Sequence, residues 1–337
     1  MIKQIEVVGG SCVYIGDVRA LLPTLIPNKR VVVISDTNID RTHHDLIAPY
    51  EHILIGQGEQ AKSLTTLEEI YGKLIDMGAD RSTFILGIGG GIVTDIAGFV
   101  ATTYMRGVEF GFVTTTLLGS VDASVGGKNG VNIGGFKNMV GTFSQPRFVV
   151  CDVSLLHSLP VKEFRAGLAE VIKTAILGDA ELFEMLERTS FEELRKNDEL
   201  LENVIMHSVQ VKASVVAEDE REGGRRRILN LGHTLAHAIE KSTRKYNHGE
   251  AVAIGLYHIT RSALAQELIG KDDAERILAL VERYGFDVEL PVEQKQLLIA
   301  VEGDKKRKGN TIHLIYPTKI GDVVDKVVSF SALDAAL

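Results

Sequence analysis

Glu170, His233, His237 and His248 are the residues of this chain whose types point most directly to chemistry, because carboxylate and imidazole are ligands that zinc takes. Glu170 sits in the helix-patterned stretch 163–173, His233 and His237 in the stretch 229–240, and His248 opens the stretch 248–255. Glu170 with two imidazoles, His233 and His248, would leave a tetrahedral ion one open position, as catalytic rather than structural sites do. Spacing alone selects another pair: His233 and His237 are four apart, share a helix face and read together as ligands. Any one of these histidines could equally be a hydrogen-bonded, partly buried imidazole.

A second chemical signature lies upstream, where the apolar run ending at Ile88 meets Gly89, Gly90 and Gly91 and passes into an apolar-periodic helix. Glycines let backbone N–H groups approach an anion without Cβ interference, and the helix N-terminus adds unpaired donors and a favourable dipole, a cradle suited to a pyrophosphate. No acidic residue closes an ordinary dinucleotide-binding βαβ unit after it, and a plain tight connection would use the same glycines.

The elements that must position these groups fall into two halves. Residues 1–155 alternate apolar strand-like runs (Arg30–Asp36, His52–Gly56, Thr83–Leu86) with amphipathic helices such as Leu64–Met77, which predicts a Rossmann-like α/β domain with a parallel sheet that binds nucleotide. From Pro160 the apolar positions take helical periodicity, through Leu201–Val216, Asn230–Glu240, Ala251–Leu268 and Ala274–Tyr284. Residues 156–337 are therefore expected to form a mainly helical domain for metal and substrate, with strand character returning at Thr311–Pro317 and Val323–Ser329. The boundary falls within Pro146–Pro160, which would place a site built from both halves in a cleft between them.

The chain has 337 residues, 45% of them hydrophobic, enough for two ordinary cores. Its formal charge of −8 argues against a nucleic-acid partner without excluding an anionic small molecule, which responds to local charge. No apolar run approaches the ~20 residues of a membrane span, and the N-terminus lacks a signal-peptide pattern, so a cytoplasmic location is expected. Cys12 and Cys151 have no metal-type spacing and are expected to be free thiols.

Between the glycine turn and the boundary lies Thr114–Asn132, followed by Lys137–Pro146, rich in Gly, Ser, Thr, Asn and Lys and expected to be a binding loop. Together these blocks, in order from Asp36 to the triplet Asp304-Lys305-Lys306, resemble the 3-dehydroquinate synthases. That resemblance implies a sugar-phosphate cyclase that uses NAD and a divalent metal, zinc or cobalt, and returns its NAD unchanged. Such an enzyme oxidises the C5 alcohol of a seven-carbon sugar acid phosphate, eliminates the phosphate, reduces the ketone again and closes the ring by an intramolecular aldol step.

The resemblance further implies residue roles. Asp36, Asn38, Glu59, Lys62, Gly89, Gly90, Gly91, Asp95, Thr115, Thr116, Leu118, Lys128, Lys137, Leu155 and Ser158 would face the cofactor, although Asp36 could instead be a strand-end cap and Lys62 could be a solvated surface lysine. The metal ligands would be Glu170, His233 and His248, which releases His237 for proton transfer beside Asp122, Lys173 and Glu222. Lys128, Lys212, Arg226 and Asn230 would hold the substrate carboxylate and hydroxyls. Arg106, Asn138 and a lysine of the triplet, here Lys306 with Lys305 and Lys308 as alternatives, would hold the phosphate. Arg225 and Arg227 read as a solvated charge run. A homodimer is implied, with Arg106 reaching the partner's phosphate site from the end of the apolar-faced helix Asp95–Met105. Two rivals are a metal-dependent polyol or glycerol dehydrogenase and a catalytically inactive nucleotide-binding protein. The cations Lys128, Lys173, Lys212 and Arg226 disfavour the first, since a neutral polyol offers them no counterion.

Overall fold

The computed structural model describes residues 2–302 and 310–333, so Lys305, Lys306 and Lys308 lie outside the described residues. The chain folds as two compact units, one of residues 1–164 and 198–221, the other of residues 165–197 and 222–337. The helix Asp198–Glu218, placed by the sequence reading in the helical half, thus belongs to the first unit. Its buried residues, Leu201, Val204, Ile205 and Val209 among them, pack it against the N-terminal strands. Periodicity identifies a helix but not the body whose apolar surface it covers.

Unit one is built on a sheet of seven strands: β1 (Lys3–Val7), β2 (Ser11–Ile15), β3 (Val31–Asp36), β4 (Glu51–Ile55), β5 (Phe84–Gly89), β6 (Phe110–Thr114) and, after a hairpin, β9 (Phe148–Cys151). The order is β1-β2-β9-β6-β5-β3-β4, parallel throughout except for the edge pair β1–β2. The apolar runs of β3, β5, β6 and β9 suit strands covered on both faces. β3 has β4 on one side and β5 on the other, so the connections leaving β3 and β5 diverge at their carboxyl ends, where α/β sheets bind ligands. Asp36 ends β3 and Gly89 ends β5.

The expected binding loop carries structure of its own. A π-helical turn at Gly119–Ala123 is followed by the antiparallel hairpin β7 (Lys128–Ile133) and β8 (Phe136–Phe143). Gly134 and Gly135, with φ of 57° and 80°, make the tight turn whose positive φ matches strand twist. The hairpin packs on the helix Gly91–Thr103 so closely that a Cβ on Gly98 would lie 1.8 Å from Asn129 Oδ1. That helix buries Val93, Ile96, Ala97, Phe99 and Val100 within its own chain. The hairpin leaves Ile133, Phe136, Met139 and Phe143 exposed.

Unit two is helical, with helices Val161–Gly178 (most of it), Ala180–Arg188, Phe191–Lys196, His233–Ser242, His248–Ala265, Lys271–Arg283 and Gln294–Glu302, and the antiparallel pair β10 (Thr311–Lys319) and β11 (Asp322–Ser329). Among the described residues no helix is long and apolar enough to cross a membrane. Cys12 and Cys151 are buried free thiols, and burial pushes Cys151 up to about 11.

Candidate functional site

Unit two brings Glu170, His233 and His248 together, with one donor atom of each within 4.8 Å of the others. Glu170 Oε1 lies 3.4 Å from His233 Nε2 and 3.2 Å from His248 Nε2. Donors about 2.0–2.1 Å from a tetrahedral ion stand about 3.3 Å apart, so the spacing fits zinc or a cation of similar size. The far nitrogens fit too. His233 Nδ1 lies 3.1 Å from the Leu231 carbonyl and His248 Nδ1 lies 3.5 Å from Glu240 Oε1. An N–H donated to each of these acceptors leaves the Nε2 lone pairs facing Glu170. His237, whose ring centre is 5.6 Å from that of His233, is not in this cluster. Four-residue spacing put both imidazoles on one helix face, but the third donor arrives on another helix.

Glycines permit that arrival. A Cβ on Gly249 would lie 2.1 Å from the Ala166 carbonyl oxygen, and one on Gly255 would lie 2.0 Å from that of Gly232. The helix His248–Ala265 therefore crosses the helix bearing Glu170 and the start of the helix bearing His233 at backbone contact. A capping box, with Asn247 and Glu250 exchanging hydrogen bonds, fixes its first turn and with it His248. Beside the cluster, Lys173 is buried in an ion pair with Glu170.

Charge is distributed unevenly over the three donors before an ion binds. Burial pulls His233 down to about 4 against the attraction of Glu170. Burial also opposes protonation of His248, but the carboxylates of Glu170 and Glu240 outweigh it and push His248 up to about 10. Glu170 is held well below the ordinary carboxylate range by Lys173 and His233 in spite of its burial. Near neutral pH two donors are already in ligand form and His248 must lose a proton. A raised pKa means that the charged imidazole stabilises the ion-free fold at lower pH and that this contribution is lost as pH rises through about 10. Metal competes with that proton, so affinity should climb about tenfold per pH unit between roughly 7 and 9, with about one proton released per ion. Calorimetry in buffers of different ionisation enthalpy measures the release. Proton-neutral binding would contradict the assignment of His248.

In unit one, the helix Gly91–Thr103 begins at the glycine turn with Gly90 as its N-cap and no side chain capping it, leaving first-turn N–H groups available to an anion. The glycines also answer to packing: a Cβ on Gly89 would lie 2.5 Å from Val93 Cγ2, and one on Gly90 would lie 2.9 Å from Thr116 Cγ2. Thr115 is buried, its N–H donating to the Gly89 carbonyl, and Leu118 is partly buried. Asp36, the last residue of β3, accepts at Oδ1 from the N–H groups of Asn38 and Ile39 and so caps the helix that follows the strand. Asn38 accepts from Arg41. Leu155 is packed into the core beneath the sheet, and the exposed Ser158 hydroxyl lies 2.8 Å from His43 Nε2.

Lys62 is buried rather than solvated, 5% exposed, in an ion pair with Asp95 and 2.5 Å from Asn138 Oδ1. Burial raises the Asp95 carboxyl pKa despite that lysine. Asn132, given no role by the sequence, ties this group together. Its Oδ1 accepts from the Asn138 N–H at 2.9 Å, its Nδ2 donates to Glu59 at 2.7 Å, and its own N–H donates to the Lys62 carbonyl. Only its place beside the Gly134–Gly135 turn could have flagged it. Lys212 donates to both Asp122 Oδ1, at 2.7 Å, and the Asp122 carbonyl, at 2.6 Å. Lys128, Lys137 and Arg106 are exposed. In unit two Arg226 is buried, and Asn230 Nδ2 donates to Glu222 Oε1 at 2.8 Å.

The chain as a whole is similar to known proteins. The family model for the 3-dehydroquinate synthase N-terminal region matches residues 52–166, and that for the C-terminal region matches residues 167–307. A 3-dehydroquinate synthase of Pelobacter propionicus is 45% identical over 284 residues, 83% of this chain and 78% of the relative. Among solved structures, a 2-deoxy-scyllo-inosose synthase complexed with carbaglucose-6-phosphate, NAD+ and Co2+ is 25% identical with a TM-score of 0.88, covering 99% of this chain and 98% of the other. A 2-epi-5-epi-valiolone synthase from Streptomyces hygroscopicus with NAD+ and Zn2+ bound is 26% identical with a TM-score of 0.87, covering 100% and 97%. With the matched regions running contiguously from residue 52 to residue 307 and identity this high over most of its length, the chain belongs to the 3-dehydroquinate synthase family.

Proposed function

We propose that the chain converts 3-deoxy-D-arabino-heptulosonate 7-phosphate to 3-dehydroquinate and phosphate, with NAD and a divalent ion, zinc or cobalt, as cofactors. The observation that carries this is the convergence of Glu170 Oε1 with two Nε2 atoms whose imidazoles are anchored from behind, in a chain of this family. When bound, NAD would take up and return a hydride while the ion polarises a substrate oxygen.

The remaining work falls to the chain's own side chains. Arg226 and Asn230 bind the carboxylate and a hydroxyl. Glu222 accepts an N–H of Asn230 and so orients its amide. Lys212 neutralises Asp122 and fixes its carboxylate at the π-helical turn, a local distortion common at functional sites. Lys173 and His237 hold and move protons, Lys128 adds a cation for the carboxylate, and Asn138 with Arg106 binds the phosphate. The protein acts as a homodimer. Met105, Arg106 and Gly107, with φ of 48°, 69° and 117°, form a turn that side-chain-bearing residues rarely adopt, and it presents Met105 and Arg106 outward. Phe136, Met139 and Phe143 supply exposed apolar area for a second copy. The cytoplasm suits a soluble biosynthetic enzyme with two free thiols.

Chelated protein given the sugar acid phosphate should release no phosphate, and added zinc or cobalt should restore release. A dehydrogenase would instead accumulate NADH on glycerol or a related polyol, and an inactive nucleotide-binding protein would do neither.

A further inference from the structure

Arg227, which the sequence reads as part of a solvated charge run, is held on two sides. Its Nη1 lies 3.3 Å from Asp325 Oδ2 on β11, and its Nη2 donates to the Gly223 carbonyl. On the other oxygen of that carboxylate, His313 Nδ1 of β10 lies 2.7 Å from Asp325 Oδ1. Arg227 lies in the segment that carries Arg226 and Asn230, and Gly223 comes just before it. Within it, the Arg227 N–H donates to the Gly224 carbonyl, the Leu231 N–H donates to the Ile228 carbonyl, and Asn230 is bonded to Glu222, whose φ of 58° is uncommon for a residue with a side chain. The short helix Arg225–Asn230 is six residues long and packs on both strands of the pair.

We propose that Asp325, oriented by His313, clamps Arg227 and so sets the position of Arg226 and Asn230, making Arg227 and Asp325 positioning residues for substrate recognition. This rests on the reading of Arg226 and Asn230 as substrate-binding groups. One residue along a tight helix, the two arginines diverge: Arg226 turns inward and is 2% exposed, while Arg227 reaches the strand pair. A bidentate-capable guanidinium between a carboxylate and a backbone carbonyl fixes direction as well as distance. The clamp touches neither Glu170, His233 nor His248, so it should act on substrate affinity and leave metal content alone.

The test compares Asp325→Ala, Arg227→Ala and Arg227→Lys with the wild type, each loaded with metal and NAD. Hydrogen exchange of peptides covering residues 225–231 should be about tenfold faster in both alanine variants without substrate. Metal content should stay at the wild-type level, KM for the sugar acid phosphate should rise about tenfold with kcat within about twofold, and Arg227→Lys should recover part of the loss. Because Arg227→Ala leaves the Asp325–His313 pair in place, it keeps the test open if Asp325→Ala folds poorly. Wild-type exchange in folded alanine variants would overturn the clamp, as would faster exchange with unchanged KM. If the wild type released no phosphate, the functional reading would fall, while the exchange rates would still decide whether the clamp exists.

Discussion

Glu170→Gln protein should neither retain a stoichiometric divalent ion nor release phosphate from the sugar acid phosphate. The carboxylate is the donor on which both Nε2 atoms converge, at 3.2 Å and 3.4 Å, and a neutral amide is a poor substitute for an anion facing a dication. Loss of the ion's polarising charge should lower turnover on the order of a thousandfold or more. The same change breaks the buried ion pair with Lys173, whose side chain is 2% exposed, so the variant should also lose up to about 3–5 kcal/mol of stability. His248→Ala should also lose metal while leaving the Glu170–Lys173 ion pair in place, and its stability cost is that of the charged imidazole's own pairs with Glu170 and Glu240. By contrast, His237→Ala should keep its metal and lose turnover. Metal analysis and thermal unfolding check all three, and full metal content in folded Glu170→Gln would refute the ligand set.

Mixing inactive subunits should restore activity if Arg106 serves the site of a partner. Arg106→Ala removes a charge-assisted contact to phosphate and should lower turnover about a hundredfold or more. Combined with Glu170→Gln in one dimer, both lesions fall on one site and the other site is intact, so unfolding and refolding the mixture should return part of the wild-type rate. If Arg106 served its own subunit, every site in the mixed dimer would carry a lesion and no rate would return. An active Arg106→Ala homodimer would make it an ordinary solvated arginine.

Much of this was legible in the residue order because the chemistry sits in local patterns. The apolar run into Gly89–Gly91 reads as strand, turn and helix, and β5 and the helix Gly91–Thr103 follow that reading. The turn's glycines are less simple than an anion cradle requires. Val93 and Thr116 occupy the space of a side chain at Gly89 and Gly90, so a valine at Gly90 would disturb packing as well as any pyrophosphate. Tertiary choices were harder to read. Spacing alone could not rank His248 above His237, because the decision depends on helix crossings that Gly249 and Gly255 allow. The stretch around Lys128–Phe143 hid a hairpin because its many Gly, Ser, Thr, Asn and Lys residues read as loop and masked the Gly134-Gly135 turn between Ile133 and Phe136. Arg227 looked solvated because its partners, Gly223 aside, lie about 90 residues on, at His313 and Asp325.

In the proposed reaction NAD is used and returned within each turnover. Purified protein with metal, a limiting amount of NAD and an excess of 3-deoxy-D-arabino-heptulosonate 7-phosphate measures this directly, by following phosphate, 3-dehydroquinate and absorbance of NADH together. The predicted result is equal amounts of phosphate and 3-dehydroquinate, far exceeding the NAD supplied, with no NADH accumulating. Product limited to the amount of NAD, with NADH rising in step, would contradict it.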